Sequence, residues 1–401
     1  MSSYPKAFSY LVQRFLGLSR QKYRILPSAQ TSFGPSDLLV LDLPVGLLSL
    51  DTLTLHGKAT TAASGGTTPS AKLPSIEETI DSLIVEIGGV QVCSIQNYGQ
   101  LFEVFRSYQM ADRQSFRGCM QLDQPAAALP TNSLQNNVPW AMYNWLGFLG
   151  SQKILDTTLL PQVRLYIRFG STSILSEGGA PTSRSFVHTG VYGSIDVLDI
   201  ADGVYSKMIQ SRLASAPLEV PFQNYTTVVG SLGAPTQSTR FSTSASCLEK
   251  ILAFPINVNV NDRVHRNTTG LSTFFRRDGT MITDSVFRIN SVPYPSIPQV
   301  REEVFVGTAH TLNAAQDTVG SSHPNMNTLD NWAADFWTHA VSFTFDADGE
   351  SMRMCGLDGR GGTITGSWDT NGSGANFQPA IVLCTKSVLR VGPNRTIEVV
   401  A

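Results

Sequence analysis

Charge is what this chain has least of. Asp, Glu, Lys and Arg make up 15% of its 401 residues, against about 25% in an ordinary soluble domain. The 29 basic and 31 acidic side chains nearly cancel, so no overall field draws the molecule onto nucleic acid. Long apolar runs are missing too. The best stretch, Leu38 to Leu50, is broken by Asp42 and Pro44, well short of the roughly 18 uninterrupted residues of a membrane helix. Arg14 likewise interrupts Phe8 to Leu18, which excludes a signal-peptide core there.

Chemistry is equally sparse. The five cysteines, Cys93, Cys119, Cys247, Cys355 and Cys384, are scattered, odd in number and never spaced C-x-x-C, which argues against a disulfide framework or a zinc site. Cys93 and Cys384 fall inside apolar strand patterns, as expected of buried, reduced thiols in a chain folded in cytosol or nucleus. The six histidines are isolated from one another and read as loop or surface residues. No G-x-S-x-G, G-x-G-x-x-G or Walker sequence occurs. Asp346, Asp348 and Glu350 look like the start of a calcium loop but lack the rest of it, and suit a turn closing a strand. We therefore expect no catalytic, cofactor-binding or metal residues and no small-molecule substrate.

What is present is β-pattern, and it repeats. Val163, Leu165, Ile167 and Phe169 alternate with Arg164, Tyr166 and Arg168, the period of a half-buried strand. Asp37 to Leu43, Leu47 to His56, Ser82 to Ile87, Gly193 to Ile200, Leu248 to Phe254, Ser285 to Ile289, Val304 to Thr308, Pro379 to Cys384, Val388 to Val391 and Ile397 to Val400 read as further strands. Asp81 to Tyr108 describes a strand turning over Gly88-Gly89 and leading to an amphipathic helix, Gln96 to Tyr108. A shortened echo follows in the second half, where Val286 to Val292 repeats Val85 to Val90 with Asn290-Ser291 in place of the Gly pair. A unit occurring twice in a chain of two-domain length implies duplication. Helical spacing at Val204, Tyr205, Met208, Ile209 and Leu213, followed by Pro217, marks the boundary.

The resulting expectation is an all-β protein of two tandem antiparallel sandwiches, residues 28–210 and 211–401, with short helices at the seams. Residues 1–27 form a basic amphipathic arm. No carboxylate precedes Asp37, whereas Lys6, Arg14, Arg20, Lys22 and Arg24 all do. Phe8, Leu11, Val12, Phe15 and Leu18 recur at helical spacing. These residues, with Arg14, Arg20, Lys22 and Arg24, are the candidate interior anchor, facing a neighbouring subunit, an internal membrane or a packaged genome. Sparse charge fits a chain whose flanks are covered by copies of itself, since few ions must lose water when subunits close up.

Several segments, taken together, resemble the double jelly-roll major capsid proteins of DNA viruses, above all those of polinton-like viruses, adintoviruses and virophages. They are Val85-Glu86-Ile87-Gly88-Gly89, Asn97-Tyr98-Gly99-Gln100-Leu101, Leu160 to Ile167, Val191 to Leu213, Leu218 to Tyr225, Arg288 to Pro295 and Gly356 to Gly362. The resemblance implies two jelly rolls side by side, a homotrimer of pseudo-hexagonal outline, and trimers tiling an icosahedral virion with penton and minor capsid proteins. Inter-subunit and outward contacts are expected in the segments Thr60 to Lys72, Gln121 to Trp145, Val260 to Thr283 and Ala309 to Trp332. A carbohydrate-binding or carbohydrate-active tandem sandwich is the second reading. It would use the five tryptophans as sugar platforms or a carboxylate pair such as Glu302 with Glu303. A single-stranded RNA virus coat is a third, and would call for a longer basic arm.

Overall fold

A computed structural model of the chain describes residues 18–65, 70–108, 134–178, 182–200, 203–230, 236–257, 275–313, 328–344, 356–370 and 377–400. The first half supplies β1 (Leu18–Ile25), β2 (Leu38–Asp42), β3 (Leu47–Ser64), β4 (Ile80–Ile87), β5 (Val90–Gln96), helix α1 (Tyr98–Ser107), β6 (Val138–Met142), β7 (Val163–Phe169) and β8 (Ser183–Ile200). They form two sheets, ordered β1-β8-β3-β6 and β2-β7-β4-β5, with every pairing antiparallel. The period-two pattern decides which face is inside. Val163, Leu165, Ile167 and Phe169 are buried on β7 and Leu39 and Leu41 on β2, each such side chain stabilising the fold by about 1.5–3 kcal/mol.

Helix α2 (Gly203–Ser215) leads to the second half: β9 (Leu218–Val229), β10 (Thr236–Ser242), β11 (Leu248–Asn257), β12 (Ile282–Ile289), β13 (Val292–Val300), helices α3 (Arg301–Asn313) and α4 (Leu329–Asp335), β14 (His339–Ser342), β15 (Thr363–Thr370), β16 (Phe377–Val391) and β17 (Ile397–Val400). Its sheets run β9-β16-β11-β14 and β10-β15-β12-β13, with β17 also on β16. Counting within each half, both rolls have the order first-eighth-third-sixth facing second-seventh-fourth-fifth. That wrapping is the jelly roll, present twice.

The repeat noticed in the sequence is the hairpin between the fourth and fifth strands of each roll. Gly88 and Gly89 have φ of 58° and 84°, and Asn290 and Ser291 have 50° and 70°. Two successive positive φ values define the tight turn that matches strand twist. The backbone N–H of Gly88 donates to the Gln162 carbonyl (2.9 Å) and that of Asn290 to the Thr363 carbonyl (3.0 Å). Each turn is thus tied to the start of the seventh strand of its own roll, at the residue just before β7 in the first roll and at the first residue of β15 in the second.

Several segments fold differently from expectation. Val304 to Thr308 lies in helix α3, not a strand. Glu302 and Glu303 occupy its first turn, and the Glu303 carboxylate accepts the Val300 backbone N–H at 3.2 Å, a favourable arrangement at a helix N-terminus. Thr60 to Lys72 is largely strand: β3 continues to Ser64, and Ser70–Lys72 pairs with Ser176–Gly178. Leu18–Ile25 is not the tail of an arm but the edge strand of the first roll, in register with Ile200 to Gly193, so this roll starts before residue 28. Gln121 to Trp145 includes β6, and Val260 to Thr283 ends in the buried Arg277 and the start of β12. Asp346, Asp348 and Glu350 lie outside the described residues, as do Cys119 and Cys355.

Two histidines expected at the surface are in the cores. His188 and His339 are both fully buried. His188 on β8 is surrounded by Trp140, Phe169 and Phe186, at ring-centroid distances of 5.4, 4.7 and 5.3 Å, and neither ring nitrogen has a hydrogen-bond partner. His339 on β14 stacks on Phe287 at 4.7 Å and bonds to Ser285 Oγ (2.6 Å) and Gln299 Oε1 (3.2 Å). Burial lowers both side chains to a pKa of about 3.

Candidate assembly surfaces

The two rolls meet along one seam, built by the fifth strand and following helix of the first roll and the first strand of the second. Asn97 (φ 53°) turns the chain sharply from β5 into α1, and asparagine tolerates that left-handed conformation. The turn lets α1 lie against the second roll: Phe105 meets Tyr225 of β9 edge-on at 5.7 Å. The one-turn helix Phe148–Ser151 adds Phe148 against Phe222 at 5.2 Å. Polar ties surround these rings. Cys93 Sγ donates to Asn224 Oδ1 (3.5 Å), the Gln223 backbone N–H to Ser151 Oγ (2.9 Å), and Thr227 Oγ1 to the Gln96 carbonyl (3.2 Å).

Further along, the seam is ionic. Glu78, Glu103 and Arg277 are buried, and Arg106 bonds to both carboxylates. Burial pushes the Glu78 carboxyl up to about 8, against the pull of Arg106 and with the push of Glu103. Arg277 of the second roll donates to Ser107 Oγ of the first at 3.0 Å, and Trp332 Nε1 donates to Tyr108 OH at 2.9 Å. Such a set resists separation, because breaking one partner away strands a buried charge. Burial raises the Cys93 thiol to about 11 and the Cys384 thiol to about 12, so neither forms a reactive thiolate near neutral pH.

The topological equivalents of these surfaces are bare. Ile95 on β5 is 0% exposed and pairs with Leu83 of β4, whereas on β13 Ile297 is 60% exposed and lies between the paired residues Tyr294 and Gln299. Met281, Val292, Val300 and Val306 are also exposed, the last on α3. At the opposite end of the repeat, Ser19 through Arg24 of β1 are all exposed, while Phe222 and Tyr225 of β9 are buried.

Of the anchor residues, Phe8, Leu11, Val12, Arg14 and Phe15 lie outside the described residues. Leu18 opens β1, and Arg20, Lys22 and Arg24 stand opposite Leu198, Asp196 and Ser194 of β8. Arg20 pairs with Asp196, and the Arg24 guanidinium lies 4.0 Å over the Tyr192 ring. Burial, then Lys22 and Arg24, lower the pKa of nearby His56. The period-two spacing of these cations is itself a strand signal.

The sugar-platform residues fare poorly. Trp140, Trp145, Trp332, Trp337 and Trp368 are all buried. Glu302 and Glu303 lie in the first turn of α3. A cleft of about 360 Å³ carries Glu78, Asp81 and Arg168 in its wall, but Glu78 is held by Arg106. Among the described residues no group of three or more His, Cys, Asp or Glu could hold a metal ion, and no helix is long and apolar enough to cross a membrane.

No protein-family model and no curated protein sequence matches the chain. Its three-dimensional likenesses are extensive. The PBCV-1 virus capsid model aligns over 96% of this chain and 98% of its own, with a TM-score of 0.62 and 10% identity. The Faustovirus major capsid protein aligns over 95% and 92%, with a TM-score of 0.62 at 6% identity. The Sputnik virophage structure aligns over 97% and 89%, with a TM-score of 0.61 at 9% identity. The chain has the double jelly-roll fold. Over almost its whole length it is similar to viral major capsid proteins, and at these identities the likeness is one of fold.

Proposed function

We propose that the chain is a major capsid protein, a structural subunit that trimerises into pseudo-hexagonal capsomers and resides in the shell of a DNA virus. The observation carrying this reading is that the likeness to capsid proteins spans both rolls and the seam between them, with little of either chain left over. Physically, the work is done by burial between subunits, at roughly 25 cal/mol per Å² of apolar area removed from water. Two similar rolls per chain let three chains present six similar sides. Its partners are copies of itself, within and between trimers, and then penton and minor capsid proteins. An internal membrane or genome is contacted through Phe8, Leu11, Val12, Arg14 and Phe15, ahead of the strand that holds Arg20, Lys22 and Arg24.

Light scattering on the purified chain tests this reading: a trimer is expected, and electron micrographs of concentrated or co-expressed material should show regular particles or flat arrays. A chain that stays monomeric at all concentrations and forms no array overturns it. In the same preparations, deleting residues 1–17 should preserve trimers while lowering particle yield or attachment to underlying material. Deletion through residue 26 would also remove β1 and is the wrong test.

A further inference from the structure

We infer that the second roll locks itself with an intramolecular isopeptide bond: Lys386 Nζ displaces the amide nitrogen of Gln223, joining the eighth strand to the first, with Glu249 as proton carrier and the Tyr225 hydroxyl as oxyanion donor. This self-modification goes beyond the capsid-subunit reading and does not depend on it.

Three neighbouring strands bring the groups together. Gln223 of β9 stands directly opposite Lys386 of β16, a spacing at which long side chains on one face meet. Glu249 lies on β11, the other neighbour of β16, where that ladder shifts register between Leu248 and Lys250. Its carboxylate holds both reactants: Lys386 Nζ is 3.3 Å from Oε1, and Gln223 Nε2 donates to Oε2 at 3.4 Å. A carboxylate only accepts, so the nitrogen of the carboxamide, its leaving group, faces Glu249. The oxygen faces the other way, where Tyr225 OH donates to Gln223 Oε1 at 2.8 Å.

The surroundings suit the reaction. Glu249 and Lys386 are buried, and Lys386 is the only buried lysine among the described residues. By contrast, Arg390 and Glu219, an ion pair on the same ladder, are 42% and 57% exposed. Burial weakens the advantage of an ion pair over a neutral acid and amine, and the neutral amine is the nucleophile. Burial first, then Cys384 and Glu249, hold the Tyr225 hydroxyl well above the ordinary phenol range, so it keeps the proton it donates. Gln223 itself is half-buried, which leaves ammonia a way out.

In the reaction, Glu249 takes a proton from the Lys386 ammonium, and the freed lone pair attacks Cδ of Gln223. The carbonyl electrons move to Oε1, where Tyr225 bonds the developing charge. Glu249 gives its proton to Nε2 and takes one from the newly bonded Nζ. The Cδ–Nε2 bond breaks with its electron pair going to nitrogen, the carbonyl reforms, and the departing ammonia receives the proton that Glu249 returns. An amide and an ammonium become a new amide and an ammonium ion, with no oxidant, reductant or cofactor. Holding both reactants on one carboxylate replaces their encounter by fixed geometry.

Mass spectrometry on the full chain is the test. Folded wild-type protein should be lighter than its sequence by one ammonia, and a protease digest should yield a branched peptide joining the segments around Gln223 and Lys386. Lys386→Arg should restore the full mass. Glu249→Gln should slow linkage of freshly expressed chain by roughly 100-fold, and Tyr225→Phe by roughly 100-fold as well. If these variants misfold, the wild-type digest alone decides the bond. Folded wild-type protein with its full sequence mass and no branched peptide overturns the inference, whether or not the chain forms trimers. Linkage at the wild-type rate in a folded Glu249→Gln variant overturns the role given to Glu249.

Discussion

The two rolls share a strand order but not a set of exposed edges. The first buries its fifth strand under its twin and leaves its first strand bare; the second does the reverse. Duplication therefore produced two copies of one scaffold whose matching surfaces meet different surroundings, and the side chains followed. Val92, Cys93 and Ile95 are buried on β5, while β13 carries Pro293, Pro295 and Pro298. Proline suits an edge strand, where a missing N–H costs no ladder bond.

The sharpest way to break this comparison is to place the same charge at both positions. Ile95→Asp puts a carboxylate in the core of the first roll, opposite Leu83 of β4 and against Gly147, where an added Cβ would lie 2.8 Å from Ile95 Cδ1. A cost above about 3 kcal/mol is expected, seen as insoluble protein or a melting temperature lowered by many degrees. Ile297→Asp should change monomer stability by no more than about 0.5 kcal/mol. Equal losses in thermal melts of the two variants would show that the edges are not in different environments.

Acid distinguishes the rolls next. In the folded chain both His188 and His339 are lowered to about 3 by burial, whereas an unfolded histidine titrates near 6.5. Below pH 6.5 the unfolded chain takes up protons that the folded chain refuses. Stability is then fully present above that pH and falls towards pH 3, by up to about 1.4 kcal/mol per pH unit for each histidine. Replacing His188 by Leu removes two unpartnered nitrogens, so it should cost little at pH 7 and leave the protein roughly 2–3 kcal/mol less acid-sensitive at pH 4.5. His339→Leu strips the partner from Ser285 Oγ and should cost about 1–3 kcal/mol already at pH 7. Melting temperatures from pH 7.5 to 4 measure both; a His188→Leu variant as acid-labile as wild type would sink the assignment.

How far the sequence disclosed this depended on which force shaped each segment. Strands with one buried face, such as β2, β4 and β7, announced themselves by alternation, and the hairpin repeat was visible because its turn demands special residues. The far end of β3, Ala59 to Ser64, carries small and polar side chains; backbone bonds to β8 hold it, and these leave no side-chain pattern. Helix α3 hid behind β-branched Val304, Val306 and Thr308, where tertiary packing overrode propensity. The seam was unreadable for a different reason. Glu78, Arg106 and Arg277 look like ordinary surface charges until two rolls close over them.

The smallest expected difference lies in the twin turns. Gly89 and Ser291 occupy one position, with φ of 84° and 70°, and a side chain in the left-handed region costs about 1 kcal/mol. A Cβ at Gly89 would meet nothing within 4 Å, so Gly89→Ala tests backbone strain alone and should lower stability by about that amount. Ser291→Gly should do the opposite, raising stability by about 0.5 kcal/mol because relief of strain is partly offset by the extra freedom of an unfolded glycine. Asn290 is a poor site for the same exchange, since its Oδ1 accepts the Thr363 backbone N–H at 3.0 Å and a glycine there forfeits that tie to β15. Opposite signs for Gly89→Ala and Ser291→Gly, read from thermal melts, follow only if the two turns are one structure made from different residues; changes of the same sign would separate them.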